Sequence, residues 1–188
     1  MACTVTAPED PPMPNTFRQT IAEMLPSPEA VQARLSVLSN RDRLGVAEFF
    51  SERLPEVDVL IATPGAQTLS RELGALRGVP GVTVTALAGH WTLVGSALHQ
   101  PGDIQPSRGG VRAAVVSLEL LGGQPELAAA LLAARLDWVV AAVAAAVERT
   151  DAPGHVRLSM QGVPVVSPVL LASTPGGLVL ERRMPQSA

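Results

Sequence analysis

The chain has 188 residues, and 47% of them are hydrophobic, which is enough to form one domain with a buried core. Its formal net charge is −3, and its 14 basic residues, all arginine, are scattered along the sequence. Proteins that bind nucleic acid concentrate positive charge on one surface, so this distribution argues against a nucleic-acid partner. The absence of lysine and tyrosine, beside abundant alanine, glycine, proline and arginine, is typical of a GC-rich bacterial genome.

Cysteine content and hydropathy indicate a cytoplasmic protein. The single cysteine, Cys3, cannot form a disulfide within the chain, and the first residues lack the positive start and apolar stretch of a signal peptide. Residues 128–147 are apolar enough to suggest a membrane span, but Arg135 and Asp137 lie within it, where each costs about 2.5–3.5 kcal/mol on insertion scales. We therefore expect this segment to form part of a soluble core, with no membrane partner.

The two ends of the chain differ from its middle. Residues 1–15 are rich in proline and have no hydrophobic period, so we expect a disordered leader. We assign residues 16–180 to a single domain and residues 181–188 to a C-terminal tail.

Three helices are predicted at the start of this domain. Phe17 and Ile21 keep helical spacing. The sequence Ser27-Pro28-Glu29 combines a capping residue, a first-turn proline and an early acid, which together predict a helix start. A third helix is predicted from Arg41 to Leu54.

A strand, a helix and a second strand follow with short links. The strands cover residues 57–62 and 82–87, and the helix runs from Gln67 to Leu76. This order is typical of a parallel sheet. The turn between the first strand and the helix consists of Thr63, Pro64, Gly65 and Ala66.

Residues 88–110 form a long connection rich in glycine, proline and serine, and loops of this length are usually functional or mobile. His90 and His99 could form a proton-transfer pair or a metal site, although no third ligand supports zinc, and the alternative is that they only form hydrogen bonds. Arg108 and Arg112 could contact a phosphate or could simply be solvated.

Residues 113–134 contain a buried strand, the turn Gly122-Gly123 and an amphipathic helix with Pro125 in its first turn. Glycine lets the backbone approach a ligand closely. Free amides at the helix start and the helix dipole attract an anion, so this turn is a candidate phosphate site.

Residues 137–148 leave strand and helix both open. Valines recur at helical spacing and alanine favours helix, yet the segment also suits a buried strand. Trp138 at its start, like Trp91 in the long connection, either stacks on a base or packs in the ordinary way.

The turn at 122–123 resembles the phosphoribosyl-diphosphate loop of the type I phosphoribosyltransferases. In that family an apolar strand is followed by two adjacent acids, two apolar residues, Thr-Thr-Gly-Gly-Thr and a helix. Aligned on the glycines, the acids fall on Val116 and Ser117, and the threonines fall on Leu120, Leu121 and Gln124. The resemblance implies that the acids hold the ribose hydroxyls, directly or through magnesium, and that the threonines and loop amides hold the 5′-phosphate. Valine and leucine can do neither.

Other segments extend the resemblance to residues 40–172. The turn at 63–66 occupies the place of the family's pyrophosphate loop, and residues 162–166 resemble its closing strand. The family also places a strand at residues 137–148, and we adopt that assignment. Basic residues that meet the pyrophosphate in most members are absent from residues 85–87.

The resemblance predicts an α/β fold: a phosphoribosyltransferase-like core with a mainly parallel sheet of about five strands flanked by helices, and an N-terminal helical segment. Its implied ligand-binding residues are Thr63, Pro64, Gly65, Ala66, Ser117, Glu119, Gly122, Gly123 and Gln124. Glu119 is two positions from the nearest family acid, and we interpret it as a solvated residue in preference to a substitute ribose or magnesium contact. No catalytic residue and no metal ligand is assigned.

The implied function is that of a divergent phosphoribosyltransferase-like protein that binds a phosphoribosyl or nucleotide ligand, with weak or no transferase activity. One alternative is an active purine-type phosphoribosyltransferase, which would use phosphoribosyl diphosphate and Mg²⁺ in purine salvage. A second alternative is a non-catalytic homo-oligomeric structural or interaction protein. Phosphoribosyl diphosphate, ribose 5-phosphate and nucleoside monophosphates are the candidate ligands, and a homodimer is the expected assembly.

Overall fold

The computed structural model describes residues 15–95, 104 and 110–181. Most of the expected leader, the tail beyond Glu181, His99 and Arg108 lie outside the described residues. In chain order the elements are α1 (Asn15–Ala22), α2 (Pro28–Ser36), α3 (Asn40–Arg53), β1 (Val59–Ala62), α4 (Gln67–Arg77), β2 (Gly81–Leu87), β3 (His90–Gly95), β4 (Arg112–Leu120), α5 (Gln124–Arg135), β5 (Val139–Arg149), α6 (Pro153–Met160), β6 (Val165–Val166), β7 (Val169–Thr174) and β8 (Gly177–Leu180).

All the described strands belong to one sheet, in the order β3-β2-β1-β4-β5-β7-β8, with β6 paired to β5 beside β7. The central strands run parallel to one another, and only the edge strands β3 and β8 are antiparallel to their neighbours. The predicted α/β class with a mainly parallel sheet is confirmed. The sheet has eight strands in the described residues, which is more than the five expected.

Helices cover both faces of the sheet. On one face α1 to α4 pack through a core that includes Phe17, Phe50 and Leu73. On the other face α5 and α6 pack through a second core that includes Ala129 and Leu158. A parallel sheet buried on both faces needs apolar residues at consecutive positions, and all four residues of β1 are buried.

The strand predicted over residues 137–148 is confirmed as β5. Its helical spacing is overridden by pairing with β4 on one side and with β6 and β7 on the other. Four of its five alanines are buried in the two cores, on both faces of the sheet. Trp138 is buried in the second core, so ordinary packing is its role.

Two expectations about loops and strands were wrong. The long connection was expected to begin at residue 88, but residues 90–95 form β3, which pairs with β2 and covers that strand's free edge. Residues 162–166 were expected to close the sheet, but they contribute only the two-residue β6, and β7 and β8 follow. In both cases short strands extend the sheet by pairing their backbone groups with a neighbouring strand.

Within residues 15–95, 104 and 110–181, no helix is long and apolar enough to cross a bilayer. The apolar segment at 128–147 is divided between α5 and β5. Most of its β5 residues are buried in the two cores of the fold.

Candidate functional site

A cleft of about 450 Å³ lies at the carboxyl ends of β1 and β4. These strands are parallel neighbours, so the turns that follow them meet at the same edge of the sheet. Helix α2 contributes the opposite wall. The lining residues are Gln32, Leu35, Ser36, Thr63, Pro64, Gly65, Ser117, Leu118, Glu119, Leu121, Gly122, Gly123, Gln124, Pro125 and Glu126.

Most of the sequence-predicted site residues therefore meet in one cleft, and Ala66 is the exception. Ala66 is fully buried in the first core, where it precedes α4. Residues 63–65 line the cleft from the turn after β1. Ser117, Glu119 and residues 122–124 line it from the turn after β4.

Thr63 is held by β4. Its backbone N–H donates to the carbonyl of Val116 at 2.9 Å, and its hydroxyl donates to the same carbonyl at 3.2 Å. The side chain is buried, so this hydroxyl fixes the turn against the sheet. Pro64 and Gly65 are exposed, and Gly65 has a φ of 88°, a conformation that suits glycine.

Ser117 is paired with an acid that the sequence reasoning missed. Its hydroxyl donates to Oε1 of Glu126 at 2.6 Å, and both residues are only 2% exposed. Burial raises the pKa of Glu126, while hydrogen bonds from Ser117 and from the Glu126 backbone amide oppose that rise. One signal in the sequence could have revealed Glu126: it is the third residue of α5, from which an acidic side chain can fold back to the helix start.

Glu119 is not the solvated residue that the sequence suggested. Its Oε1 lies 3.6 Å from Nη1 of Arg149, and its side chain is 18% exposed. Burial raises the pKa of Glu119, and the charge of Arg149 opposes the rise. Arg149 also donates to Ser173 at 2.7 Å and lies 3.7 Å from Asp151, so its charge is shared among several partners.

The turn at 122–123 packs against the first turn of α6. Gly123 has a φ of 74°, and a Cβ placed there would lie 2.9 Å from Cα of Gly154. The amide of Gly154 donates to the carbonyl of Leu121 at 2.9 Å, and Arg157 donates to the carbonyl of Gly122 at 2.7 Å. Glycine at 123 is therefore required by the approach to α6, whereas a Cβ at 122 would have nothing within 4 Å.

The remaining candidates do not join the cleft. His90 and Trp91 are exposed on the edge strand β3. Arg112 begins β4, at the opposite end of that strand from the cleft, and cannot contact a phosphate bound there. In the described part of the chain, no group of three or more histidine, cysteine, aspartate or glutamate side chains could hold a metal ion.

Helix α2, which forms one wall of the cleft, makes polar contacts at both of its ends. Ser27 caps it by accepting a hydrogen bond from the amide of Ala30 at 3.1 Å. Near its last turn, Arg34 pairs at 2.9 Å with Asp42, a buried acid in the first turn of α3. Asp42 also accepts from the hydroxyl of Ser39 at 2.7 Å, so the start of α3 and the end of α2 are fixed together.

The charge of the cleft differs from that of an anion site. Among the described residues its lining contains two acids, Glu119 and Glu126, and no basic side chain. Two arginines lie near the lining: Arg149 is paired with Glu119 and its other partners, and Arg157 donates to the carbonyl of Gly122.

Several solved structures share this architecture. Orotate phosphoribosyltransferase of Mycobacterium tuberculosis H37Rv, in complex with 5-phospho-α-D-ribosyl 1-diphosphate, matches with a TM-score of 0.62 at 17% identity, over 81% of this chain and 85% of that one. Adenine phosphoribosyltransferase of Trypanosoma brucei, in complex with AMP, pyrophosphate and ribose 5-phosphate, matches with a TM-score of 0.59 at 14% identity, over 80% and 78%. The adenine phosphoribosyltransferase of Saccharomyces cerevisiae matches with a TM-score of 0.56 at 16% identity, over 81% and 98%.

The chain has the type I phosphoribosyltransferase fold. No protein-family model and no curated protein sequence matches it, so the likeness lies in the fold. In this phosphoribosyltransferase fold the turn after β4 keeps its two glycines and the helix that follows. The two positions expected to carry acids hold Val116, in the first core, and Ser117, bonded to Glu126.

Proposed function

We propose that this protein binds a phosphoribosyl or nucleotide ligand in the cleft between β1, β4 and α2, and transfers phosphoribosyl weakly or not at all. The cleft volume of about 450 Å³ lies within the range of ligand pockets. Solved neighbours of the same fold were crystallised with phosphoribosyl diphosphate, AMP or ribose 5-phosphate, which supports ligands of this kind. A role in nucleotide metabolism in the cytoplasm belongs to the same proposal.

One observation supports weak or absent phosphoribosyl transfer. In the family that this turn resembles, two adjacent acids hold the ribose hydroxyls. Here Val116 is buried in the core, and the Ser117 hydroxyl donates a hydrogen bond to Glu126. Cleavage of a pyrophosphate leaving group needs positioned charge to stabilise the transition state. The cleft lining offers no basic side chain for that purpose among the described residues.

The residues of the cleft do not fit magnesium. Mg²⁺ prefers free carboxylate oxygens and holds several waters. Glu126 is bonded to Ser117 in a buried position, and Glu119 is paired with Arg149. We therefore assign no step to a metal ion.

A turnover assay tests this proposal. The protein is incubated with phosphoribosyl diphosphate, Mg²⁺ and a panel that includes adenine, hypoxanthine and orotate, and released pyrophosphate is measured beside an active phosphoribosyltransferase. We expect release at or slightly above the rate of the protein-free control and far below the rate of the active enzyme. Release that requires both a base and the protein, at a rate comparable with that of the active phosphoribosyltransferase, would support the alternative of an active enzyme.

The assembly is proposed to be a homodimer. Apolar side chains are exposed at the end of α5 and the start of β5, with Leu131 at 67% and Val139 at 64% exposure, and burying them against a second copy would remove them from water. Light scattering after size exclusion is expected to give twice the mass of 19.5 kDa. A monomer at micromolar concentration would reject the dimer.

A further inference from the structure

Helix α6 holds the turn between β4 and α5, although none of its residues lines the cleft. The amide of Gly154 donates to the carbonyl of Leu121 at 2.9 Å, and Nη1 of Arg157 donates to the carbonyl of Gly122 at 2.7 Å. Gly122 and Gly123 do line the cleft, and the Arg157 side chain is exposed beside them. Arg157 therefore contacts the turn without lining the space in which a ligand would lie.

Helix α6 is itself attached to the rest of the fold. Nδ1 of His155 lies 2.5 Å from Oε1 of Glu148, a buried acid near the end of β5. Leu158 of the same helix is fully buried in the second core. Arg157 lies between these two attachment points, so the helix that carries it has a fixed position relative to the sheet.

The contacts from α6 set the direction of two backbone amides. In a trans peptide the carbonyl and the N–H point in opposite directions, and the peptides of this turn are trans. Because the carbonyls of Leu121 and Gly122 accept from α6, the N–H groups of Gly122 and Gly123 point away from their donors on that helix. Among the described residues, neither of these N–H groups donates a hydrogen bond to the protein. Both can therefore donate to an acceptor in the cleft that the two glycines line.

We propose that Arg157 is a positioning residue for ligand binding: by holding the Gly122 carbonyl, it keeps the Gly123 N–H directed at the phosphate of the ligand. This inference rests on the proposed function, because it takes the ligand to carry a phosphate and assigns that phosphate to this turn. A peptide between two glycines has wide conformational freedom, which the hydrogen bond from Arg157 restricts. A hydrogen bond to a charged acceptor is stronger than one to a neutral acceptor, so a fixed donor matters most for a phosphate.

Arg157→Met tests the residue, because methionine has no donor for the Gly122 carbonyl. NMR titration compares the affinities of AMP and adenosine for the wild type and for R157M. We expect AMP to bind about tenfold more weakly to R157M, with adenosine changed much less, because only the phosphate uses the positioned amide. Arg157→Lys retains a donor and should recover part of the AMP affinity. Arg112→Met, at an exposed position that begins β4 at the opposite end from the cleft, removes the same charge and should alter neither affinity.

Two further readouts distinguish positioning from the loss of a charge. The amide signal of Gly123 should shift when AMP is added to the wild type, and it should shift much less in R157M. The difference in AMP affinity between the wild type and R157M should persist at about 1 M salt, where the Debye length is about 3 Å. A hydrogen bond within the protein is not screened by salt as the field of a distant charge is.

The outcomes separate the inference from the proposed function. The inference is wrong, while the proposed function stands, if AMP binds R157M as tightly as the wild type or if AMP and adenosine are weakened by the same factor. It is also wrong if the Gly123 amide does not respond to bound AMP, or if the difference in affinity disappears at high salt. If neither AMP nor ribose 5-phosphate binds the wild type at millimolar concentration, the proposed function is rejected, and the inference with it.

Discussion

At the scale of single residues, the chemistry of the cleft depends on which residue supplies a carboxylate at the end of β4. Where the resemblance expects a carboxylate on β4, Ser117 supplies a hydroxyl, and a carboxylate reaches the same place from Glu126 on α5. An acid that is held by neighbouring groups and buried cannot serve a ligand as a free acid does. The identity of Ser117 was evident from the sequence, but its partner nine positions later was not, because that contact depends on the shape of the turn between them.

Burial of Glu126 predicts a pH dependence of stability. Its pKa is raised in the folded protein, so the folded state binds the proton more strongly than the unfolded state does. The corresponding stability is complete below the ordinary carboxyl pKa of about 4.5 and is lost as the pH rises through the folded pKa. E126Q has no proton to lose, so its free energy of unfolding relative to the wild type should increase with pH above that value.

Urea denaturation between pH 4 and pH 8 measures this difference. Its slope is at most about 1.4 kcal/mol per pH unit for one proton. Because the pKa of Glu119 is raised by burial too, E119Q should show a change of the same sign. A constant difference between E126Q and the wild type across this range would show that the carboxyl is not desolvated by the fold.

At the scale of elements, the turn between β4 and α5 shows what the sequence could and could not indicate. Two glycines before a helix with an early proline predicted a turn that allows close approach, and the turn is there. Gly123 makes a close approach to Gly154 of α6, which lies 31 positions later. No local pattern reveals this contact between distant elements.

The two glycines of this turn should respond differently to alanine. Gly123→Ala places a Cβ 2.9 Å from Cα of Gly154 at a positive φ, and we expect a loss of about 1–3 kcal/mol in the free energy of unfolding. Gly122→Ala meets nothing within 4 Å and should cost less than about 1 kcal/mol. Chemical denaturation compares the pair, and equal losses would contradict the packing of this turn on α6.

The wall formed by α2 depends on Asp42. This buried acid accepts hydrogen bonds from Arg34 at 2.9 Å and from Ser39 at 2.7 Å. Asp42→Ala should lower the free energy of unfolding by about 2 kcal/mol or more, because hydrogen bonds to a charged group are lost and Arg34 is left without its partner. Glu48→Ala, at an exposed position of α3, the helix that contains Asp42, is the control. A similar loss of stability in both variants would show that the hydrogen bonds of Asp42 do not stabilise the fold.

At the scale of the whole molecule, the order of strands and helices could be predicted because it depends on local patterns. Buried strands, capped helices and short links indicated the parallel sheet, and the resemblance decided β5 as a strand where periodicity alone favoured a helix. The edge strand β3 and the final hairpin of β7 and β8 were missed because their pairing satisfies backbone groups, which leave little trace in side-chain patterns. Site chemistry was harder still, since Glu126 and Arg149 act through contacts made between elements.

The central claim is that the fold has kept its cleft and lost the groups that support transfer. Calorimetric titration of the wild-type protein with phosphoribosyl diphosphate, with and without Mg²⁺, tests it most directly. The account predicts weak but detectable binding at millimolar ligand that Mg²⁺ does not strengthen, because no free pair of acids supports the ribose hydroxyls or the ion. Tight binding that requires Mg²⁺ would contradict it.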